Sequence, residues 1–217
     1  MWNWCRRCFL TLRGHACVTE LIFKPVIDSP FLRHLEDTQV LLPGQTLPGV
    51  VIKAIHGRSL ALVTRRQNMK LQWGELIGPA LVTNTVVARG ARNWHWYGPG
   101  SWLVCASGLE AGDLAVELET PLGGVASVVE LSHARSILSL SGPQVLSALA
   151  KLCSLDLHPK IFVVGSCANT TMHHMAVHIA RVPGRDDFEL YVMRGFAVSL
   201  CEALISASTE YGYYFEC

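Results

Sequence analysis

The chain has 217 residues, half of them hydrophobic, which is enough for one domain with a substantial core or for two closely packed lobes. Eighteen lysines and arginines nearly balance seventeen acidic residues, so the net charge of +1 excludes the strongly basic footprint of a nucleic-acid-binding or membrane-surface protein. Only 16% of the residues are charged, which indicates a buried partner interface, a large core or a poorly soluble protein.

The sequence carries no signal for a membrane or for export. No apolar run approaches the roughly 20 residues of a membrane-spanning helix, and the run at residues 9–12 ends at Arg13, too short for a secretory signal. The eight cysteines form no disulfide framework, and Cys153, Cys167 and Cys201 have apolar neighbours. These features predict a cytoplasmic protein with reduced thiols.

Residues 1–28 differ from the rest of the chain, with three cysteines, two tryptophans and no clear periodicity, and the Ser29-Pro30 pair marks a boundary after them. We interpret them as an N-terminal extension that is disordered or incidental to a domain spanning residues 29–217. The extension contains four side chains of the types that bind zinc: Cys5, Cys8, His15 and Cys17. A zinc-binding regulator is therefore another interpretation, although this spacing is unusually tight for a tetrahedral site.

The domain itself alternates strand-like runs with helical ones. Two hairpins are expected, one with strands at 50–55 and 60–65 around Gly57, the other with strands at 94–97 and 102–106 around Gly98-Pro99-Gly100. Further strands are expected at 81–88, 125–131, 136–140, near 161–168, 172–180 and 187–193, and helices at 108–119, 144–153 and 195–209. The pattern predicts an α+β fold of two small lobes, about 29–130 and 131–217, each an antiparallel or mixed sheet with helices on one face.

Common cofactor and hydrolase motifs are absent from the sequence. Gly98-Pro99-Gly100 is not a dinucleotide fingerprint, because the proline removes a backbone N–H donor and the third glycine is missing. Neither a Gly-x-Ser-x-Gly elbow nor a pair of carboxylates stands out. We therefore expect a subunit of a larger enzyme that has no self-sufficient active site.

Residues 165–178 are the densest cluster of functional side chains. If they form a strand, His174 and His178 share a face but lie roughly 13 Å apart along it, too far to share one metal ion. Cys167 is a conceivable nucleophile with His158 or His174 as its base, but a buried structural cysteine is the favoured interpretation. We expect a polar strand face that is satisfied by hydrogen bonds or faces a partner.

Several short motifs point to a known family. They are Leu131-Ser132-His133-Ala134-Arg135, Leu140-Ser141-Gly142-Pro143, Asp156-Leu157-His158-Pro159, Gly165-Ser166-Cys167-Ala168-Asn169-Thr170 and Glu210-Tyr211-Gly212. With Gly98-Pro99-x-x-Trp102-Leu103, they resemble the gamma subunit of heterotetrameric sarcosine oxidase over roughly residues 29–212. The sequence departs from that pattern before Ser29 and at 56–90.

The resemblance implies the folate-binding aminomethyltransferase fold and membership of a complex with alpha, beta and delta subunits. Such a complex oxidatively demethylates sarcosine, or a related N-methyl amine, to glycine and passes the one-carbon unit to tetrahydrofolate. FAD, FMN, NAD and tetrahydrofolate are then expected in the larger partner subunits and zinc in the smallest. This chain is implied to be structural, without a catalytic, cofactor-binding or metal-binding residue of its own.

The resemblance also implies roles for six polar residues as structural or interface positions: Asp156, His158, Asn169, Thr170, His174 and Arg194. His173 and His178 fall outside the family pattern. A rival hypothesis is a free-standing folate-binding protein or one-carbon transferase, because the implied fold has a central cavity suited to a pterin. Its buried carboxylates would have to come from Glu130, Asp156 and Glu202.

Overall fold

We describe the chain from a computed structural model, which describes residues 30–31, 37–66, 82–184 and 187–217. The predicted extension 1–28, including its four zinc-type ligands, lies outside the described residues. In chain order the strands are β1 (Thr38–Val40), β2 (Val50–Ile55), β3 (Arg58–Arg65), β4 (Val86–Arg89), β5 (Arg92–Gly98), β6 (Ser101–Ser107), β7 (Ala126–Glu130), β8 (Arg135–Ser141), β9 (Cys167–Met172), β10 (Met175–Arg181), β11 (Phe188–Met193) and β12 (Tyr213–Glu216). The α-helices are α1 (Asp113–Leu122), α2 (Val145–Ala150) and α3 (Ala197–Ser208).

The described strands form two sheets. The first has the order β1-β12-β2-β8-β11-β10-β9 and is antiparallel except between β12 and β2, which run parallel with Tyr213 opposite Val50. The second is antiparallel throughout, in the order β4-β5-β6-β3-β7. Helices α2 and α3 pack on the first sheet and α1 on the second, which confirms the predicted α+β class.

The two sheets pack face to face, so the fold has four layers with a helix layer on each outer side. Strand alternation explains this, because neighbouring side chains on a strand point to opposite faces. On β3, Leu60 lies in the cluster between the sheets, whereas Ala61 lies in the cluster beneath α1. On β8, Ile137 faces the second sheet and Leu138 the helices. Strands covered on both sides are nearly continuously apolar, as in β11.

The hairpin expected at 50–65 is wrong. β2 pairs with β8 and β12 in the first sheet, whereas β3 pairs with β6 and β7 in the second. The turn at Gly57, with φ of +66°, therefore carries the chain from one sheet to the other. Apolar runs identify strands but not the strands they pair with, and both β2 and β3 have the composition of a hairpin strand.

β1 and β2 also join the first sheet although they precede residue 130, so sheet membership does not follow the predicted lobe limits.

A single strand through 172–180 is also wrong. His173 and His174, with φ of 45° and 66°, form the turn between the antiparallel strands β9 and β10. Positive φ at both central residues is typical of a type I′ hairpin turn, which usually uses Asn or Gly. Histidine at these positions hides the turn from sequence reasoning. The hairpin around Pro99 is confirmed, since β5 and β6 pair there.

Close backbone contact at Gly142 yields a stability prediction. A Cβ on Gly142 (φ +112°) would lie 2.5 Å from the carbonyl oxygen of Gly49, whereas a Cβ on Gly44 (φ +85°) would meet nothing within 4 Å. Gly44→Ala should lower the free energy of unfolding by about 1 kcal/mol through its backbone conformation alone. Gly142→Ala should cost about 1–3 kcal/mol more because it adds a clash with backbone. Urea denaturation of both variants measures the difference, and equal losses would contradict the contact.

Candidate functional site

A charged residue is buried in the layer between the two sheets. The Glu189 side chain on β11 is fully buried, and its Oε1 lies 3.2 Å from Nη2 of Arg58 at the start of β3. The Tyr191 hydroxyl donates to the other carboxylate oxygen at 2.5 Å, and Arg58 Nη1 donates to Cys105 Sγ at 3.5 Å. One carboxylate thus joins residues of both sheets, and the pairing offsets the cost of burying it.

The side chains around Glu189 keep their ordinary protonation states at neutral pH. Burial raises the pKa of the Cys105 thiol, and burial together with the neighbouring Cys105 and Glu189 raises the pKa of Tyr191 well above its ordinary value. Burial has the largest single effect on the pKa of Arg58 and lowers it, but Glu189, Cys105 and Tyr191 together outweigh burial, so the pKa rises. Cys105 and Tyr191 therefore stay protonated at neutral pH, and neither is an activated nucleophile.

Two buried histidines continue the layer. Asn169 Nδ2 donates to the carbonyl of Tyr97 at 2.6 Å, so its Oδ1 is an acceptor and His178 Nδ1 donates to it at 2.8 Å. His178 Nε2 is then unprotonated and accepts from His95 Nδ1 at 3.3 Å. His95 Nε2 is left as a buried acceptor without a hydrogen bond. One chain of hydrogen bonds thus links β5, β9 and β10 and fixes both tautomers.

Both imidazoles are neutral. Burial, together with the charge of Arg135, lowers the pKa of His178 to about 3. Burial, His178 and Arg58 lower the pKa of His95 well below its ordinary value. The two rings pack edge-on to Tyr191, at 5.2 Å and 5.7 Å between ring centres. The two histidines are buried and hydrogen-bonded to each other, and they stabilise the contact between the sheets.

A cleft of about 610 Å³ opens where the chain passes from β2 to β3. Apolar and basic side chains share its lining, and the basic ones are His56, Arg58, His133, Arg135 and Arg194. Glu110 is the acidic residue among its described lining. Arg58 belongs both to the cleft and to the buried ion pair, so the cleft lies directly against the polar layer.

The six predicted structural or interface residues lie in different places. Asn169 connects the two sheets, as described above, and Thr170 lies opposite Val177 on the edge strand β9. Arg194 lines the cleft, and its backbone N–H donates to the carbonyl of Ala134 at 2.9 Å. His174 lies in the exposed β9–β10 turn rather than on a strand face with His178.

Asp156 and His158 occupy an exposed loop after α2. Asp156 Oδ1 accepts from the backbone N–H of His158 at 2.9 Å, and His158 Nδ1 accepts from that of Lys160 at 3.2 Å. The carboxylates that a pterin would need do not converge, since Glu130 ends β7 and Glu202 lies exposed on α3. None of these carboxylates lines the cleft.

Among the described residues, Cys167 forms no hydrogen bond with a basic side chain. Its Sγ donates to the carbonyls of Thr85 and Trp96 at 3.3 and 3.4 Å, and burial raises its pKa to about 12. His174 lies at the far end of β9, about 20 Å along the strand. Within the described ranges, no group of three metal-ligating side chains occurs.

Sequence reasoning missed the residues that hold the layer together: Arg58, Tyr97, His95, Glu189 and Tyr191. Glu189 does carry a signal, since it is the one carboxylate within the otherwise uncharged run of β11. A charge in a buried strand needs a partner, but the partner lies 131 positions away in sequence and on another sheet. His95 carries no such signal, because a histidine between two tryptophans is an ordinary strand pattern.

The buried ion pair predicts an asymmetric double-mutant cycle. Arg58→Met should destabilise by about 3–5 kcal/mol because it removes the guanidinium that pairs with the fully buried Glu189 carboxylate. Glu189→Gln should cost less, about 1–3 kcal/mol, because the Arg58 side chain is 15% exposed and reaches water. The double variant should recover most of the free energy of unfolding that the single variants lose, as measured by urea denaturation.

Lys53→Gln, which breaks the exposed pair with Glu216, is the control and should cost at most ~1 kcal/mol. Equal losses for Arg58→Met and Lys53→Gln would refute the buried charge.

The neutral histidines predict an acid-sensitive fold. His178 has a folded pKa of about 3 and an ordinary value of 6.5, so below pH 6.5 the unfolded chain binds more protons than the folded one. The stabilisation is complete above pH 6.5 and is lost as the pH falls towards 3, with a limiting slope of about 1.4 kcal/mol per pH unit for this ring. Denaturation between pH 7 and 4 should show a shallower slope for His178→Asn. His174→Asn, in the exposed turn, should keep the wild-type slope, and a shared slope in all three proteins would disprove the assignment.

The comparisons with known proteins agree with the fold. A heterotetrameric sarcosine oxidase from Corynebacterium sp. U-96, in complex with pyrrole 2-carboxylate, matches with a TM-score of 0.65 at 23% identity, covering 75% of this chain and 85% of that chain. The glycine cleavage system aminomethyltransferase T of Bartonella henselae matches with a TM-score of 0.59 at 18% identity, covering 79% of this chain and 48% of that chain. Identities this low concern the fold alone, and they confirm its predicted likeness to the aminomethyltransferases.

Sequence relatives define the family. Sarcosine oxidase gamma subunits of Corynebacterium sp. strain P-1 and of an Arthrobacter species are 35% and 37% identical over 117 residues, which are 54% of this chain and 56% of each relative. The match spans little more than half the length of these relatives. A family model described as the sarcosine oxidase, gamma subunit family matches residues 71–210. This match covers well over half of the chain, and the chain therefore belongs to the sarcosine oxidase gamma subunit family.

Proposed function

We propose that the chain is a non-catalytic, structural subunit of a heterotetrameric sarcosine-oxidase-like complex. The complex would oxidatively demethylate sarcosine, or a related N-methyl amine, to glycine and pass the one-carbon unit to tetrahydrofolate. The observation that carries the proposal is membership of the gamma subunit family, over residues 71–210. The activity belongs to the whole complex, so this chain contributes to it through assembly.

The state of the buried polar groups supports a structural role. General acid–base catalysis needs a group whose pKa lies near the operating pH and which can reach a substrate. His178 is neutral with a pKa of about 3, and it bonds Asn169 and His95. Tyr191 donates its hydroxyl to Glu189, and Glu189 in turn pairs with Arg58. These groups hydrogen-bond or ion-pair with one another, which is typical of a rigid scaffold.

On this proposal the partners are the alpha, beta and delta subunits, assembled in the cytoplasm. FAD, FMN, NAD and tetrahydrofolate belong to the larger subunits and zinc to the smallest. In the part of the chain that the structure describes, no helix has the length and apolarity to cross a membrane.

The loop that carries Asp156 and His158 is the best-supported contact surface. Both side chains are exposed, and the next residues expose Ile161, Val163 and Val164 by 66%, 49% and 47%. Clustered apolar side chains beside polar ones are typical of protein interfaces. Two candidate interface residues therefore lie next to an apolar patch on the same loop.

Copurification tests the proposal. The tagged full-length chain, expressed in its native host, should bring down partner proteins that carry flavin absorbance. Ile161→Asp should reduce the recovered flavin at least about tenfold, because it places a charge in an apolar contact. Val116→Asp is the matched control, since Val116 on α1 is 65% exposed and its substitution adds the same charge.

Two results would count against the proposal in different ways. A wild-type chain that purifies as a colourless monomer would refute the subunit role itself. Equal flavin recovery with Ile161→Asp and Val116→Asp would leave the subunit role standing and move the contact surface away from the 156–164 loop. Circular dichroism of both variants establishes that each chain is folded.

A further inference from the structure

We propose that the cleft between β2 and β3 binds a small organic carboxylate with an apolar body. This inference goes beyond the proposed function, which gives the chain no ligand. It rests on two features of the cleft: an arginine that forms no ion pair among the described residues, and apolar walls of suitable size.

Arg135 supplies the positive charge. Its Nη2 donates to the Tyr97 hydroxyl at 2.6 Å, and its guanidinium lies 5.6 Å from the centre of that ring, but both are contacts with a neutral group. Among the described residues it forms no ion pair, unlike Arg58, which Glu189 neutralises. A guanidinium with N–H donors left over is well suited to bind a carboxylate in two parallel hydrogen bonds.

The rest of the cleft suits an apolar body. Its apolar walls are formed by Phe31, Ile55, Leu60, Leu109 and Ile137. Small-molecule sites have volumes of about 300–1,000 Å³, and this cleft has about 610 Å³. The apolar walls come from both sheets and the charged group from the start of β8, so the two ends of a ligand would meet different surroundings. A carboxylic acid carrying an aromatic ring has this division of polarity.

A matched pair of probes tests the charge requirement. The full-length chain would be titrated with indole-3-acetate and with its neutral amide, indole-3-acetamide, following the backbone N–H signals of His133, Arg135 and Ser136 by NMR. The acid should bind about 10-fold to 100-fold more tightly than the amide, since a hydrogen bond to a charged group contributes about 1.5–3 kcal/mol.

Variants separate this cleft from general surface charge. Arg135→Gln should remove the preference for the acid, whereas Arg135→Lys should keep part of it. Arg92→Gln is the control, because Arg92 is an arginine on a β-strand outside the cleft that pairs with Glu117.

Four outcomes would overturn the proposal: no binding of the acid, equal binding of acid and amide, signals that shift outside the cleft, or the same loss in Arg92→Gln as in Arg135→Gln. A short glutamate-rich peptide that competes more strongly than the acid would also overturn it, in favour of an acidic partner segment. All of these measurements use the chain alone, so they are independent of whether it copurifies with flavin-containing proteins.

Discussion

The buried carboxylate of Glu189 is the constraint on which the arrangement of the two sheets depends. A charge with no access to water needs a cation within hydrogen-bonding distance, and Arg58 supplies it from the opposite sheet. Arg58 is the first residue of β3, directly after the crossing that leaves β2 at Ile55. The ion pair therefore fixes the point where the chain changes sheets, and with it the position of the cleft that opens there.

The secondary structure was largely readable because it depends on local pattern. The β5–β6 hairpin follows from two apolar runs around Pro99, and α3 follows from the spacing of Leu200 and Leu204 on its buried face. Pairing was less readable, since β2 and β3 are neighbours in sequence and belong to different sheets. That choice depends on β8 and β12, which lie far along the chain, and no local run encodes it.

The candidate residues show the same limit at the level of side chains. The sequence marks residues 165–178 as rich in histidine, but the β9–β10 turn leaves His174 exposed and His178 buried against His95. The partner of His178 comes from 83 positions earlier, on the other sheet. Spacing along one segment can say which side chains share a strand face, whereas a network built across two sheets is defined only by the packing.

This packing also explains why a chain rich in histidine and cysteine has an unreactive interior. Burial holds His178 and Cys105 in their neutral forms, and their hydrogen bonds go to other residues of the layer, so the polarity of the interior specifies how the sheets meet. Arg135 differs, because its charge lies at the rim of the layer, against a neutral tyrosine. Arg58 neutralises the charge of Glu189 inside the protein, whereas the charge of Arg135 is not neutralised by a described residue. Any binding of an anion by this chain is therefore expected at the cleft rather than in the core.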